Sequence, residues 1–140
     1  MQGRVAMWHA LGDAVQPLEL STVSENIFTE PEIATVGVTQ AQVDAGESTA
    51  LVVKLPLHTN ARAKMQGIRD GFVKLFALPG TRIVVGGVVV APRASELVFP
   101  VALAVQLRLT VDDLANTFTV YPSLSGSVAE AARLLHRSGR

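Results

Sequence analysis

A chain of 140 residues has the length of one domain, with a radius of gyration of about 14 Å when compact, and its 49% hydrophobic content excludes intrinsic disorder. It has no cysteine, which excludes disulfides, thiolate metal sites, cysteine nucleophiles and dithiol redox chemistry within the chain, and its 17% charged content implies more hidden surface than a monomer of this size usually has. Net charge is zero but divided, −6 over residues 1–53 and +6 over residues 54–108; the two stretches neutralise each other, and with no recognition motif beside the basic one, nucleic-acid binding is not expected.

In chain order, Met1–Leu11 reads as a helix, with Val5, Trp8 and Leu11 at three-residue spacing and Gly12 after it. Asp13–Ser21 reads as a linker interrupted by Pro17. Thr22–Phe28 and Ile33–Val38 read as strands around the turn Thr29-Glu30-Pro31-Glu32. Thr39 is a good N-cap for a short helix to Ala45, and Gly46 ends it. Leu51–Leu57 reads as a strand, with Pro56 marking an end or an edge, and His58–Gln66 as irregular or helical.

Gly71–Leu78 and Ile83–Val90 form an antiparallel hairpin about the turn Leu78-Pro79-Gly80-Thr81. The second strand has little polar alternation, so both of its faces are expected to be covered. Pro92–Leu109 reads as one helix kinked at Pro100 and apolar nearly all round, which needs cover on more than one side. Thr110 caps a short helix over Val111–Asn116, Phe118–Pro122 is extended, and Ser123–His136 is the last helix. The order points to an α+β fold: a mainly antiparallel sheet of about five strands with helices on one side. The longest apolar stretches, Ile83–Ala91 and Leu97–Val105, are far too short to span a bilayer, and no signal peptide is legible, so a cytoplasmic location is expected.

Catalytic signatures are sparse. There is no G-x-G-x-x-G, Walker loop or G-x-S-x-G. Gly86-Gly87 inside an apolar strand reads as close backbone approach or a bulge. His9, His58 and His136 are far apart, and no metal site is expected. Ser123, Ser125 and Ser127 crowd the start of the last helix, where a serine cap is the ordinary reading; a small hydrolase using Ser125 and His136 is a weak alternative.

Four ordered segments carry a family resemblance. Phe28-Thr29-Glu30-Pro31-Glu32-Ile33-Ala34-Thr35-Val36-Gly37 resembles the opening of the C-terminal dimerisation domain of the pyridine nucleotide–disulfide oxidoreductases. Asn60-Ala61-Arg62-Ala63 is similar to that family's N-x-R-A, and Gly71-Phe72-Val73-Lys74 to its G-F-x-K strand. Gly86 through Glu96 is similar to its G-x-H-x-x-G-x-x-A-x-E, with Val88 and Ala91 in place of the histidine and second glycine. Tyr121-Pro122-Ser123-Leu124-Ser125-Gly126 falls where the family has H-P-T-x-S-E.

The resemblance implies a dimerisation domain over residues 22–140, preceded over residues 1–21 by a remnant of the last FAD-domain helix and a linker. It implies a homodimer through the apolar helix 94–107 and the sheet, and docking on upstream FAD and NAD domains. FAD and NAD(P)H would belong to the full-length parent and neither to this chain alone. Tyr121 and Pro122 would contact the partner subunit's flavin.

In disulfide-reducing members a histidine in the place of Tyr121 moves the thiol protons, and a glutamate in the place of Gly126 orients it. Neither is present here, so no catalytic residue is assigned. A tyrosine hydroxyl ordinarily ionises near ~10 and is a poor base at neutral pH. Reduction of a quinone or similar acceptor needs no such base, and Y-P-S-L-S-G-S resembles members acting as NAD(P)H quinone reductases. If the last helix points at the flavin, its dipole would stabilise negative charge there. The alternative from a different class is a standalone homodimeric interaction module without activity.

Overall fold

The computed structural model describes residues 1–137. Five strands form one sheet: β1 (Glu25–Ile27), β2 (Glu32–Gly37), β3 (Leu51–Pro56), β4 (Phe72–Ala77) and β5 (Val84–Ala91). Their spatial order is β1-β2-β5-β4-β3, and every pairing is antiparallel. The expected α+β class and mainly antiparallel sheet are therefore what the chain adopts.

The hairpin β4–β5 follows from its sequence. Leu78 N–H donates to the Ile83 carbonyl and Arg82 N–H to the Leu78 carbonyl, closing the turn that Pro79 and Gly80 initiate. Register then sets the faces. Ala34, Val89, Val73 and Leu55 stand in one row and are all buried; the adjacent row, Thr35, Val88, Lys74 and Lys54, faces the other way. Val88 and Val90 are only half-buried, so the second face of β5 is less covered than its unbroken apolar run suggests. The short helix α2 (Gln40–Asp44) lies toward that face, where Lys74 Nζ donates to Gln40 Oε1 at 3.1 Å. Thr39 caps it in a capping box with Gln42, as the sequence predicts.

Gly87 has room for no side chain. A Cβ there would stand 2.7 Å from Val101 Cγ1, because the helix carrying Val101 lies flush on β5. That helix corrects one expectation. Pro92–Leu109 is not a single kinked helix but two, α4 (Ala94–Leu97) and α5 (Phe99–Gln106). Pro100 occupies the first turn of α5, where its missing N–H has no intrahelical acceptor to lose. Arg93 starts α4 from a left-handed conformation at φ 59°.

Other boundaries shift for similar reasons. Thr22–Phe28 pairs only over Glu25–Ile27, and Leu20–Thr22 is a 3-10 turn. Between β3 and β4 a 3-10 turn over Leu57–Thr59 leads into helix α3 (Ala61–Met65). Helix α6 (Val111–Asn116) has the expected Thr110 cap, completed by Asp113. Helix α7 runs over Gly126–Arg137, three residues later than expected.

Helices α4, α5 and α7 cover the face that Ala34, Val73 and Val89 present, α7 lying over β3 and β4, α5 over β5 and β2; α6 packs on α7. Arg82 ties the hairpin to α7, its guanidinium donating to the carbonyls of Leu135 and His136 at 2.9 and 3.0 Å. Helix α1 (Gln2–Ala10) buries none of its residues.

Glu32 fastens the start of β2 to α4. Its carboxylate accepts from the Ser95 backbone N–H at 3.0 Å and from the Ser95 hydroxyl at 2.8 Å. The backbone bond is the larger cause, and with the hydroxyl it holds the carboxyl below its ordinary value of 4.5. The charged form is favoured by folding, so the unfolded chain binds more protons and this contribution is present above pH 4.5 and lost as pH falls below it. Urea midpoints measured down a pH series should fall through that window in the native chain. Glu32→Gln should flatten the fall; an unchanged slope would show that Glu32 does not supply it.

Candidate functional site

Between α6 and α7 the chain runs as an exposed ridge. Phe118 is fully exposed, Val120 is 79% exposed and Tyr121 is 84% exposed. The Tyr121–Pro122 peptide is cis. Phe118 through Pro122 make no hydrogen bond to any described residue. The ridge is therefore uncharged and bare on its outer side, apolar at Phe118 and Val120 and polar at Thr119 and the Tyr121 hydroxyl.

The turn beneath it is well tied. Ser123 Oγ accepts from Gly126 N–H at 3.0 Å, so Ser123 is the serine that caps α7. Ser127 N–H and Val128 N–H donate to the carbonyls of Leu124 and Ser125. The first N–H groups of α7 are thus satisfied within the turn, and the helix end offers its dipole but no free donor. A Cβ on Gly126 would stand 3.2 Å from Ser123 Oγ, so the serine cap occupies the space a side chain would need.

Asn60 joins this turn to α3. Its Oδ1 accepts from Arg62 and Ala63 N–H, and its Nδ2 donates to the Ser123 carbonyl at 3.0 Å and to Ser127 Oγ at 2.8 Å. Two motifs singled out in the sequence, Asn60-Ala61-Arg62-Ala63 and Tyr121-Pro122-Ser123, thus meet through one side chain.

The hydrolase alternative has no such support. Ser125 and His136 lie at opposite ends of α7, and His136 Nδ1 is 2.6 Å from Asp112 Oδ1 on α6. Among the described residues no three His, Asp or Glu side chains converge as metal ligands. No helix among them is long and apolar enough to cross a membrane.

A second bare surface lies on α5. Val101 and Ala104 are buried against the sheet, while Phe99, Leu103 and Leu107 are 68, 40 and 59% exposed. Their spacing of four residues puts them on one stripe. This explains the helix that is apolar nearly all round: the chain itself covers one side and leaves the other open. Sequence reasoning named the helix but missed Phe118 and Val120; their signal was an apolar alternation in a polar break between helices.

Residues 23–132 match the pyridine nucleotide-disulphide oxidoreductase dimerisation domain. The chain belongs to this family. Over 135 residues the chain is 61% identical to a protein of Mycobacterium tuberculosis named NAD(P)H dehydrogenase (quinone), covering 96% of this chain and 27% of that protein. Over 131 residues the chain is 36% identical to a dihydrolipoyl dehydrogenase of Haloferax volcanii, covering 94% of this chain and 27% of that protein. The crystal structure of LpdA from Mycobacterium tuberculosis superposes with a TM-score of 0.93 at 61% identity, covering 96% of this chain and 29% of that one. The chain therefore spans about a quarter of the length of the relatives it matches.

Proposed function

We propose that this dimerisation domain serves an FAD-dependent NAD(P)H oxidoreductase that reduces a quinone or similar acceptor, and that Tyr121 and Pro122 stand against the flavin of the partner subunit. The observation that carries the reading is the bare ridge at Phe118–Tyr121 above a firmly tied turn. Such a ridge suits one edge of a flat aromatic ring. It does not suit the phosphates of a dinucleotide, which need clustered N–H donors. FAD and NAD(P)H would accordingly be held by other domains of the parent, residues 1–21 belonging with the FAD domain, and the flavin would supply the electron-carrying ring. This chain would cover that ring, keep water from it and present the Tyr121 hydroxyl.

The acceptor class rests on two supports. The Mycobacterium tuberculosis relative at 61% identity is named as a quinone dehydrogenase. And Tyr121 stands where disulfide-reducing members of the family carry the histidine that moves the thiol protons. Two copies would associate through the α5 stripe, which the sheet behind it holds rigid.

Tyr121→Phe in the full-length flavoprotein tests the hydroxyl. Flavin content and dimer should be unchanged, while kcat/KM for a quinone should fall about tenfold, the worth of one hydrogen bond to the reacting partner. Unchanged turnover and acceptor preference would leave Tyr121 without a chemical role.

A further inference from the structure

The ridge has few ties, and one of them comes from far away in the chain. Between Thr117 N–H, which donates to the Leu114 carbonyl, and the turn that opens α7, the backbone makes no bond of its own to another element. The exception is the Ser123 carbonyl, one residue beyond Pro122, which accepts from Asn60 Nδ2. The second Asn60 donor goes to Ser127 Oγ, and Ser127 is fully buried, the single buried polar residue among those described. Leu124 adds an apolar anchor against the core.

Asn60 is fixed in its turn. Its Oδ1 is held by Arg62 and Ala63 N–H, and Leu57 and Ala63, three positions before and after it, are fully buried. An amide side chain offers two donors and one acceptor oxygen, and here all are engaged. The orientation of the amide is set by these partners, because only the oxygen can accept from backbone N–H and only the NH₂ can donate to a carbonyl. A carboxylate in the same place would face the Ser123 carbonyl without a proton to offer.

We propose that Asn60 is a positioning residue: its side-chain amide clamps the Ser123–Ser127 turn to α3 and so sets where Tyr121 and Pro122 stand. The consequence for catalysis rests on the reading that these two residues face the partner's flavin. Asn60 touches no reacting atom; it acts through the turn.

The test separates the clamp from that reading. Asn60→Ser keeps a good N-cap for α3 but is too short to reach Ser123 or Ser127. In this chain, hydrogen exchange of the Gly126, Ser127 and Val128 amides should speed up at least tenfold, while β4 amides stay within twofold of native. Ser127→Ala should speed the same amides, and the double variant should go no further than the larger single change, the signature of one shared interaction. Exchange at Gly126–Val128 within twofold of native in Asn60→Ser would overturn the clamp. In the full-length flavoprotein, Asn60→Ser should lower kcat for quinone reduction about tenfold and leave KM for NAD(P)H within twofold. Fast exchange with both changes supports the proposal in full. Fast exchange with quinone kinetics unchanged supports the clamp and overturns the placing of the ridge at the flavin.

Discussion

Gly86→Ala should lower stability by about 3 kcal/mol, at the upper end of what overpacking a well-filled site costs. The reason is backbone, not side chain. After Gly37, which turns at φ 71°, the chain leaves β2 and crosses β5, with Val38 N–H donating to the Val85 carbonyl at 2.9 Å. A Cβ on Gly86 would meet Val38 O at 2.5 Å and Val38 N at 2.6 Å. Neither atom can rotate away, so the crossing and the sheet must part. Alanine also restricts the unfolded chain, a gain of about 0.4–1 kcal/mol, which the clash exceeds. The midpoint of thermal unfolding should drop by about 12 °C for a domain of this size. Gly3→Ala is the matched control, since a Cβ there meets nothing within 4 Å. A Gly86→Ala variant melting with the native chain would show that the crossing is looser than these distances.

Leu103→Asp should convert a dimer into a monomer. Native mass spectrometry of the unaltered chain should give a species at twice 14.8 kDa. In a two-fold interface each residue occurs twice, so one substitution buries two unpaired charges, and affinity should fall at least a hundredfold. Leu103 is the right site because it lies on the exposed stripe with Phe99 and Leu107, while Val101 and Ala104 hold the helix to the sheet. The monomeric variant should therefore unfold at the native urea midpoint, adjusted for the loss of association. A variant that stays dimeric at micromolar concentration with its fold intact would place the interface elsewhere.

Much of this fold was legible locally. Thr39 and Thr110 announce their helices by capping, and the hairpin β4–β5 by two apolar runs around Pro79-Gly80. The departures came where a residue's meaning depends on its position. Pro100 breaks a helix only from the interior; in the first turn of α5 it is tolerated, so one apparent helix is two. Ser123 stands before α7 as its cap and not within it. Of the candidate site, Tyr121 and Pro122 were legible through the family motif. Their tie to Asn60 was not, because no periodicity reports a contact across 63 residues.

The strand order also dictates a sequence of assembly. β3, β4 and β5 are neighbours in the chain and in the sheet, so they can register with one another as they are made, the β3–β4 connection carrying α3 and the β4–β5 connection being a tight turn. β2 pairs with β5 across more than 45 residues. On a ribosome adding roughly 5–20 residues per second, β2 waits on the order of 3–10 s for its partner strand to be made. During that interval Ile33, Ala34 and Val36 have no neighbour beyond the three residues of β1. The acidic residues around them, Glu25, Glu30 and Glu32, keep that waiting strand dissolved and discourage it from pairing with copies of itself.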